Sequence, residues 1–326
     1  MSLRRVSSTI LSSRAAYLKQ LRPANALYRN FSSSLIRQKE LGYLVGTKAA
    51  LQAANDPSFT PSPTLFEKEF SMKGRVVAVS GANRGLGLET ALALAEAGAT
   101  VHCFDLASTP SDIFSASSSY LKRLGPQVGR IEYSTLDVTN QDTVWSTVEK
   151  VAGGKLDACI AAAGIFNGEP ILEYKAEDLK KIVDVNLNGV LFFAQACGRV
   201  MDKAGNGGSI ILLASAGGTN AIRGMPGTAY SVTKSAILQM ARSMACELGP
   251  KKIRVNSLSP TYLLTDMVIP VLDEIPGIRE LWESQNPLGR LGYPHELRGV
   301  VTWLASDAST YCTGSDILVT GGHTAW

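Results

Sequence analysis

The chain reads as an α/β protein: a mostly parallel, doubly wound sheet of about seven strands, covered by helices on both faces, in one large domain. Three observations predict this. Apolar, strand-like runs alternate with helical segments from residue 75 to the C-terminus. The first strand runs directly into a glycine-rich turn and then a helix. The 326 residues are 45% hydrophobic and 18% charged, which suffices for one large core plus an extension.

The opening strand is Arg75-Val76-Val77-Ala78-Val79, and the helix after the turn is Leu88 to Ala97, with Gly98 as its stop. Between them lies Ser80-Gly81-Ala82-Asn83-Arg84-Gly85-Leu86-Gly87. Glycines let a backbone turn sharply and approach a pyrophosphate, and a helix N-terminus supplies unpaired N–H groups and positive potential. A second strand, Thr100 to Phe104, ends on Asp105, 18 residues after Gly87. A carboxylate there suits the adenosine ribose of a dinucleotide. Further strands are expected near Ile131 to Leu136, Leu156 to Ala163, Ser209 to Leu213, Ile253 to Leu258 and Ile317 to Val319. There is no internal repeat, and no apolar stretch is long enough to span a bilayer.

Residues 1–39 differ from the rest. They hold Arg4, Arg5, Arg14, Lys19, Arg22, Arg29, Arg37 and Lys39, many serines and no acidic residue. Such a segment reads as a mitochondrial transit peptide cleaved near Phe31, in Arg29-Asn30-Phe31-Ser32-Ser33, which directs the protein to the matrix. The alternatives are a basic arm touching nucleic acid or acidic lipid, and a cytoplasmic protein. With those 8 basic residues set aside, 24 remain against all 28 acidic ones. The body is therefore formally −4 although the whole chain is +4. That balance carries no nucleic-acid footprint. Residues 40–72 are expected to be a spacer with a stiff middle from Asp56 to Pro63, and residues 73–326 the dinucleotide-binding domain.

The five cysteines, Cys103, Cys159, Cys197, Cys246 and Cys312, form no C-x-x-C pair, and the three histidines, His102, His295 and His323, lie far apart. Neither a disulfide framework nor a metal site is expected. Tyr230 and Lys234, four apart, share one face if their segment is helical. An ammonium beside a phenol stabilises the phenolate; moving a Tyr from a pKa of roughly 10 to near 7 takes about 4 kcal/mol.

In this order the motifs resemble the short-chain dehydrogenase/reductase family, over about 250 of the 326 residues from Lys73 onward. The family's T-G-x-x-x-G-x-G appears with Ser80 in place of Thr, its adenine-contacting D-V as Asp137-Val138, and its N-x-x-G as Asn186 to Gly189. Its active-site serine matches Ser215, and its Y-x-x-x-K matches Tyr230 and Lys234. The resemblance implies a Rossmann-type fold and four catalytic residues. Tyr230 would be the general acid/base, Lys234 would lower its pKa and hold the nicotinamide ribose, Ser215 would orient the substrate oxygen, and Asn186 would support a water-linked proton relay. It also implies cofactor contacts from Ser80, Gly81, Asn83, Arg84, Gly85, Leu86 and Gly87. Others would come from Asp105, Asp137, Val138, Ala163, Gly164, Tyr230, Lys234, Pro260, Thr261 and Thr265. Hydride leaves a carbinol carbon only as its O–H proton is removed, so a positioned base is required.

Two motifs depart from the family pattern. N-N-A-G becomes Ala161-Ala162-Ala163-Gly164, losing an asparagine that braces the central sheet, and P-G becomes Pro260-Thr261, a backbone less free to adopt positive φ. Asp105 favours NAD by repelling a 2′-phosphate, with NADP as the alternative because Arg84 could attract one. Phe166, Ile222 and Tyr262 are candidate pocket walls, and the segment Tyr262 to Arg290 occupies the place of the family's substrate cover. The segment Phe66 to Gly74, the tail Gly321 to Trp326, and the Ser215–Tyr230 spacing resemble fungal polyol dehydrogenases, including D-arabinitol, mannitol and sorbose-reductase-like members. The leading expectation is thus an NAD-linked dehydrogenase for a sugar alcohol. An NADPH-dependent 3-oxoacyl or other carbonyl reductase, and an NAD-binding scaffold of the same fold, are the other readings. Family analogy further implies a homodimer or homotetramer assembled through Glu177 to Met201 and Thr228 to Leu248, a small-molecule substrate, and no membrane partner.

Overall fold

A computed structural model describes residues 43–326, so the expected transit segment and its cleavage point lie outside the described residues. The described residues fall into two units that divide after Pro61. In the first, helix α1 (Gly46–Asn55) buries no residue. It ends at Asp56, whose carboxylate accepts hydrogen bonds from the Ser58 N–H at 2.9 Å and the Gln52 amide at 3.1 Å. The expected spacer therefore contains a helix. Its last residues belong to the second unit: Met72 is fully buried in the core, and its N–H bonds the Ala97 carbonyl at 2.9 Å. A lone methionine among polar residues gave no periodicity by which to place it inside.

Seven strands form one sheet: β1 (Val76–Ser80), β2 (Thr100–Asp105), β3 (Arg130–Thr135), β4 (Ala158–Ala161), β5 (Gly208–Leu213), β6 (Ile253–Pro260) and β7 (Asp316–Val319). Their order is β3-β2-β1-β4-β5-β6-β7, and every pairing is parallel. The connections carry α2 (Gly85–Glu96), α3 (Asp112–Leu124), α4 (Gln141–Ala152), α5 (Ala176–Val183), α6 (Val190–Ala204) and α7 (Thr228–Leu248). The last crossover carries α8 (Ile269–Glu274), α9 (Ile278–Ser284) and α10 (Arg298–Ala305). The strand order reverses between β1 and β4, which opens a crevice at the strands' C-terminal ends.

Strand alternation builds two cores from one sheet. Val77 and Val79, Ala158 and Ile160, and Ile211 and Leu213 pack with Leu88, Leu94 and Leu304. On the opposite face Ala78, Cys159, Ala161, Ile210 and Leu212 pack with Phe193, Cys197 and Ile237. Each fully buried aliphatic or aromatic side chain here contributes about 1.5–3 kcal/mol. Helix starts are set locally: the Ser111 hydroxyl accepts from the Phe114 N–H at 3.2 Å, and Asn140 Oδ1 from the Thr143 N–H at 3.0 Å. Between α5 and α6 the chain makes a π-helical turn, Asp184–Gly189, that helical periodicity does not reveal.

Candidate active site

The glycine turn packs too closely for side chains. A Cβ on Gly81, whose φ is +67°, would meet the Ala163 Cα at 2.7 Å, and one on Gly87 would meet the Gly81 carbonyl oxygen at 2.1 Å. Helix α2 begins here with no side-chain cap, so its first N–H groups are open to a ligand. The turn borders a cleft of about 670 Å³ at the β1/β4 crevice. Gly81, Arg84, Gly85, Leu86, Gly87, Asp105, Asp137, Val138, Ala163 and Gly164 line it. From the other side come Tyr230, Lys234, Pro260, Thr261 and Thr265.

Two expected cofactor residues do not line it. Ser80 is buried, and its hydroxyl accepts from the Ala162 and Ala163 N–H groups at 3.2 and 3.4 Å. It thereby braces the loop in which the family asparagine is missing. Asn83 is turned inward to hold the segment before α3, accepting from the Ser111 N–H at 2.7 Å and donating to the Thr109 carbonyl at 3.3 Å. Both follow one rule: a short polar side chain in a tight turn is engaged by neighbouring backbone. Asp105 stays on the cleft wall, pinned by the Asn83 N–H on Oδ2 at 3.0 Å and the Leu106 N–H on Oδ1 at 2.9 Å. Thr261 needs no left-handed backbone, since Lys252 is the sole non-glycine residue with positive φ among the described residues.

Helix α7 brings Tyr230 and Lys234 to one face, opposite Ser215 at the end of β5. The Ser215 hydroxyl lies beside the Tyr230 phenol and favours its ionised form, and Ser215 Oγ accepts from the Gly217 N–H at 3.0 Å. Lys234 is buried, with Nζ donating to the Leu213 carbonyl at 2.7 Å and lying 5.6 Å from the Tyr230 ring centroid. Burial lowers the Lys234 pKa to about 8. Burial also pushes the Tyr230 phenol above its ordinary value, against the lowering by Ser215. At the phenol desolvation outweighs the effect of Ser215, while the Lys234 ammonium donates to the Leu213 carbonyl.

Asn186 lies on the π-helical turn, fully buried and outside the cleft wall. Its Oδ1 accepts from the Ile165 N–H and its Nδ2 donates to the Ile165 carbonyl, both at 2.8 Å. It clamps the segment that follows β4. A Cβ on Gly164 would come within 3.5 Å of Asn186 Oδ1 and 3.7 Å of Lys234 Nζ, so both groups flank that glycine.

Beyond Ser215 and Tyr230 a second cavity, of about 100 Å³, is lined by all three expected wall residues, Phe166, Ile222 and Tyr262. The Phe166 ring meets Tyr230 edge-on at 5.2 Å, and Tyr262 stacks on Trp282 at 4.1 Å. Sequence reading missed Asn220, Met225, Trp282 and His323, which line the same cavity. They come from separate segments, and no motif signals them. The cover has its own small core, with Ile278, Trp282 and Leu291 buried against Met225, Val268 and Val271.

The fold and site define an oxidoreductase with a dinucleotide crevice. Residues 81–324 match the family model described as enoyl-(acyl carrier protein) reductase. Sorbose reductase of Schizosaccharomyces pombe is 38% identical over 258 residues, which cover 78% of this chain and 97% of that protein. The NADP-dependent mannitol dehydrogenase of Hypocrea jecorina is 36% identical over 273 residues, 82% of this chain and 99% of that protein. The crystal structure of a short-chain type dehydrogenase/reductase from Mycobacterium marinum superposes with a TM-score of 0.74 at 36% identity, covering 80% of this chain and 100% of that one. The chain belongs to the short-chain dehydrogenase/reductase family, NAD(P)-dependent enzymes that act on CH–OH groups.

Proposed function

We propose that this enzyme interconverts a sugar alcohol and its ketose with NAD as cofactor. One observation carries the reading: Ser215 and Tyr230 together lie on the wall shared by the dinucleotide cleft and the small cavity. NAD, when bound along Gly81, Gly85, Gly87 and Asp105, supplies the hydride acceptor. Ser215 holds the substrate oxygen, and Tyr230 exchanges the proton of that oxygen. Lys234, cationic below a pKa of about 8, faces the developing phenolate with positive charge. Asn186 keeps Ile165, and with it the Gly164 backbone, in register beside Lys234.

The sugar-alcohol substrate is supported by similarity to a sorbose reductase and a mannitol dehydrogenase. The preference for NAD is supported by Asp105, a carboxylate fixed on both oxygens where a 2′-phosphate would have to lie. At about 4 Å and an effective dielectric of 20, that repulsion is about 4 kcal/mol before screening. A second reading, reduction of an acyl or other apolar ketone with NADPH, is favoured by the Phe166, Ile222, Met225 and Trp282 walls and by Arg84 on the cleft. Purified protein assayed with D-arabinitol and either NAD or NADP tests both. NADH production supports the proposal. Activity confined to NADP reverses the cofactor choice, and turnover of apolar alcohols alone moves the substrate to the second reading.

The acid-free, arginine-rich residues 1–39 support import into the mitochondrial matrix. A fluorescent fusion that stays cytoplasmic when those residues are intact would refute this. A homodimer or homotetramer built on α6 and α7 is proposed by family analogy; light scattering that returns a monomer would sink it.

A further inference from the structure

We propose that His323 is a specificity-determining residue whose Nε2 accepts a hydrogen bond from a second substrate hydroxyl, one not borne by the reacting carbon. The inference rests on the reading of the site as an alcohol dehydrogenase and adds what else its substrate must carry. It starts from the turn after β7, where the His323 N–H bonds the Thr320 carbonyl at 3.1 Å and the ring lines the small cavity. Two contacts hold the ring. Its Nδ1 lies 3.1 Å from Asn286 Oδ1, and the ring packs edge-on against Tyr262 at 5.3 Å.

The tautomer follows from what Asn286 can offer. Asn286 is buried, and one end of its amide lies 2.8 Å from the Arg290 carbonyl. A carbonyl only accepts, so that end must be the NH₂, and the amide oxygen must face His323. An amide oxygen also only accepts, so Nδ1 must carry the proton. Burial lowers the His323 pKa, which keeps the ring neutral at neutral pH. Nε2 is then a bare acceptor, with no protein hydrogen bond among the described residues.

The surroundings make that acceptor informative. Among the described residues no Asp, Glu, Lys or Arg lines the small cavity, and its walls are largely apolar: Phe166, Ile222, Met225, Val268, Val271 and Trp282. The indole N–H of Trp282 is already given to the Arg223 carbonyl at 2.9 Å. Among the described residues lining the cavity, His323 brings a ring-nitrogen acceptor beside the side-chain oxygens of Ser215, Asn220, Tyr230, Thr261 and Tyr262. A substrate hydroxyl satisfies it. A methyl at the same place leaves it without that partner, and a carbonyl meets it lone pair to lone pair. The tail and the cover hold this arrangement jointly, because Trp326 Nε1 also donates to the Gln285 carbonyl at 3.3 Å.

The test compares diols with their mono-alcohols in the full-length enzyme: butane-2,3-diol, pentane-2,4-diol and hexane-2,5-diol against 2-butanol, 2-pentanol and 2-hexanol. For at least one pair the wild type should prefer the diol about tenfold in kcat/KM, mostly through KM. His323→Leu should bring that ratio near one, mainly by raising KM for the diol. His323→Gln, whose amide oxygen can accept, should restore part of it. A wild type with no preference in any pair, or a preference that survives His323→Leu, overturns the assignment. If His323→Leu loses NADH binding through misfolding, His323→Phe and His323→Gln carry the comparison: unequal ratios in favour of Gln support it and equal ratios overturn it. D-arabinitol is assayed in parallel. A wild type inactive on it that still prefers a diol refutes the sugar-alcohol reading and leaves His323 in its role.

Discussion

The two halves of the active site are built on opposite principles. The dinucleotide half is backbone: glycines that admit no Cβ, strand ends, and an uncapped helix start, all within the first crossover and its neighbours. The substrate half is side chains from four distant places, namely the segments after β4, β5 and β6 and the tail after β7. The first half grips what every member of the family shares. The second selects, and selection by side chains can change without disturbing the sheet. Tyr230 and Ser215 stand where the halves meet, which is where hydride and proton must leave the same substrate.

The largest expected effect falls on that junction. Tyr230→Phe should lower kcat by about 10²–10⁴ with NADH affinity retained, measured by steady-state kinetics and fluorescence titration. Equal turnover would remove Tyr230 as the acid/base. Next comes Lys234. Its pKa is lowered from 10.5 to about 8 by burial, so the unfolded chain binds that proton more tightly and the cost is fully present below pH 8. Stability attributable to Lys234 should therefore rise with pH, by roughly 3 kcal/mol across pH 8 to 10.5. Urea titrations of wild type and Lys234→Met should differ by that increment over this window. A pH-independent difference would mean that the ammonium is solvated.

Asp105→Ser sharpens the contrast from the dinucleotide side. Discounting the Coulomb repulsion for partial exposure, it should raise kcat/KM for NADP relative to NAD about 10–100-fold and leave the diol preference untouched. A changed diol preference would show that the halves are not separable. The smallest effect expected is that of Ser80→Ala, which leaves the Ala162 and Ala163 N–H groups without their shared acceptor. A loss of about 1–2 kcal/mol in stability, read by thermal or urea unfolding, fits that role. Loss of cofactor binding with stability unchanged would return Ser80 to the cleft wall.

Much of the fold was legible because its signals are local. Strand-like runs at Val76 to Val79 and Ser209 to Leu213 state their burial by composition, and the glycine turn announces itself by residues that nothing else would require. Tyr230 and Lys234 could be read as partners because a helix converts spacing of four into proximity. What was missed is non-local or local in a different sense. Ser80 and Asn83 have the right residue types for a ligand, yet the turn spends their polar atoms on its own backbone. The π-helical turn that buries Asn186 breaks the very periodicity used to read helices. The Lys234 ammonium donates to the Leu213 carbonyl, a partner that spacing of four does not reveal.

From residue types in order alone, this protein is determined to be a doubly wound α/β dehydrogenase with its tyrosine, serine and lysine named. Those features rest on interactions within a turn or a strand–helix unit. Only the tertiary structure decided which polar side chains face the cleft, and that Trp282 and His323 join Phe166 around one cavity. Hydrogen-bond partners such as the Asn286 amide and the His323 ring lie 37 residues apart. Chain distance carries no information about such encounters, and folding must bring them together before their chemistry exists.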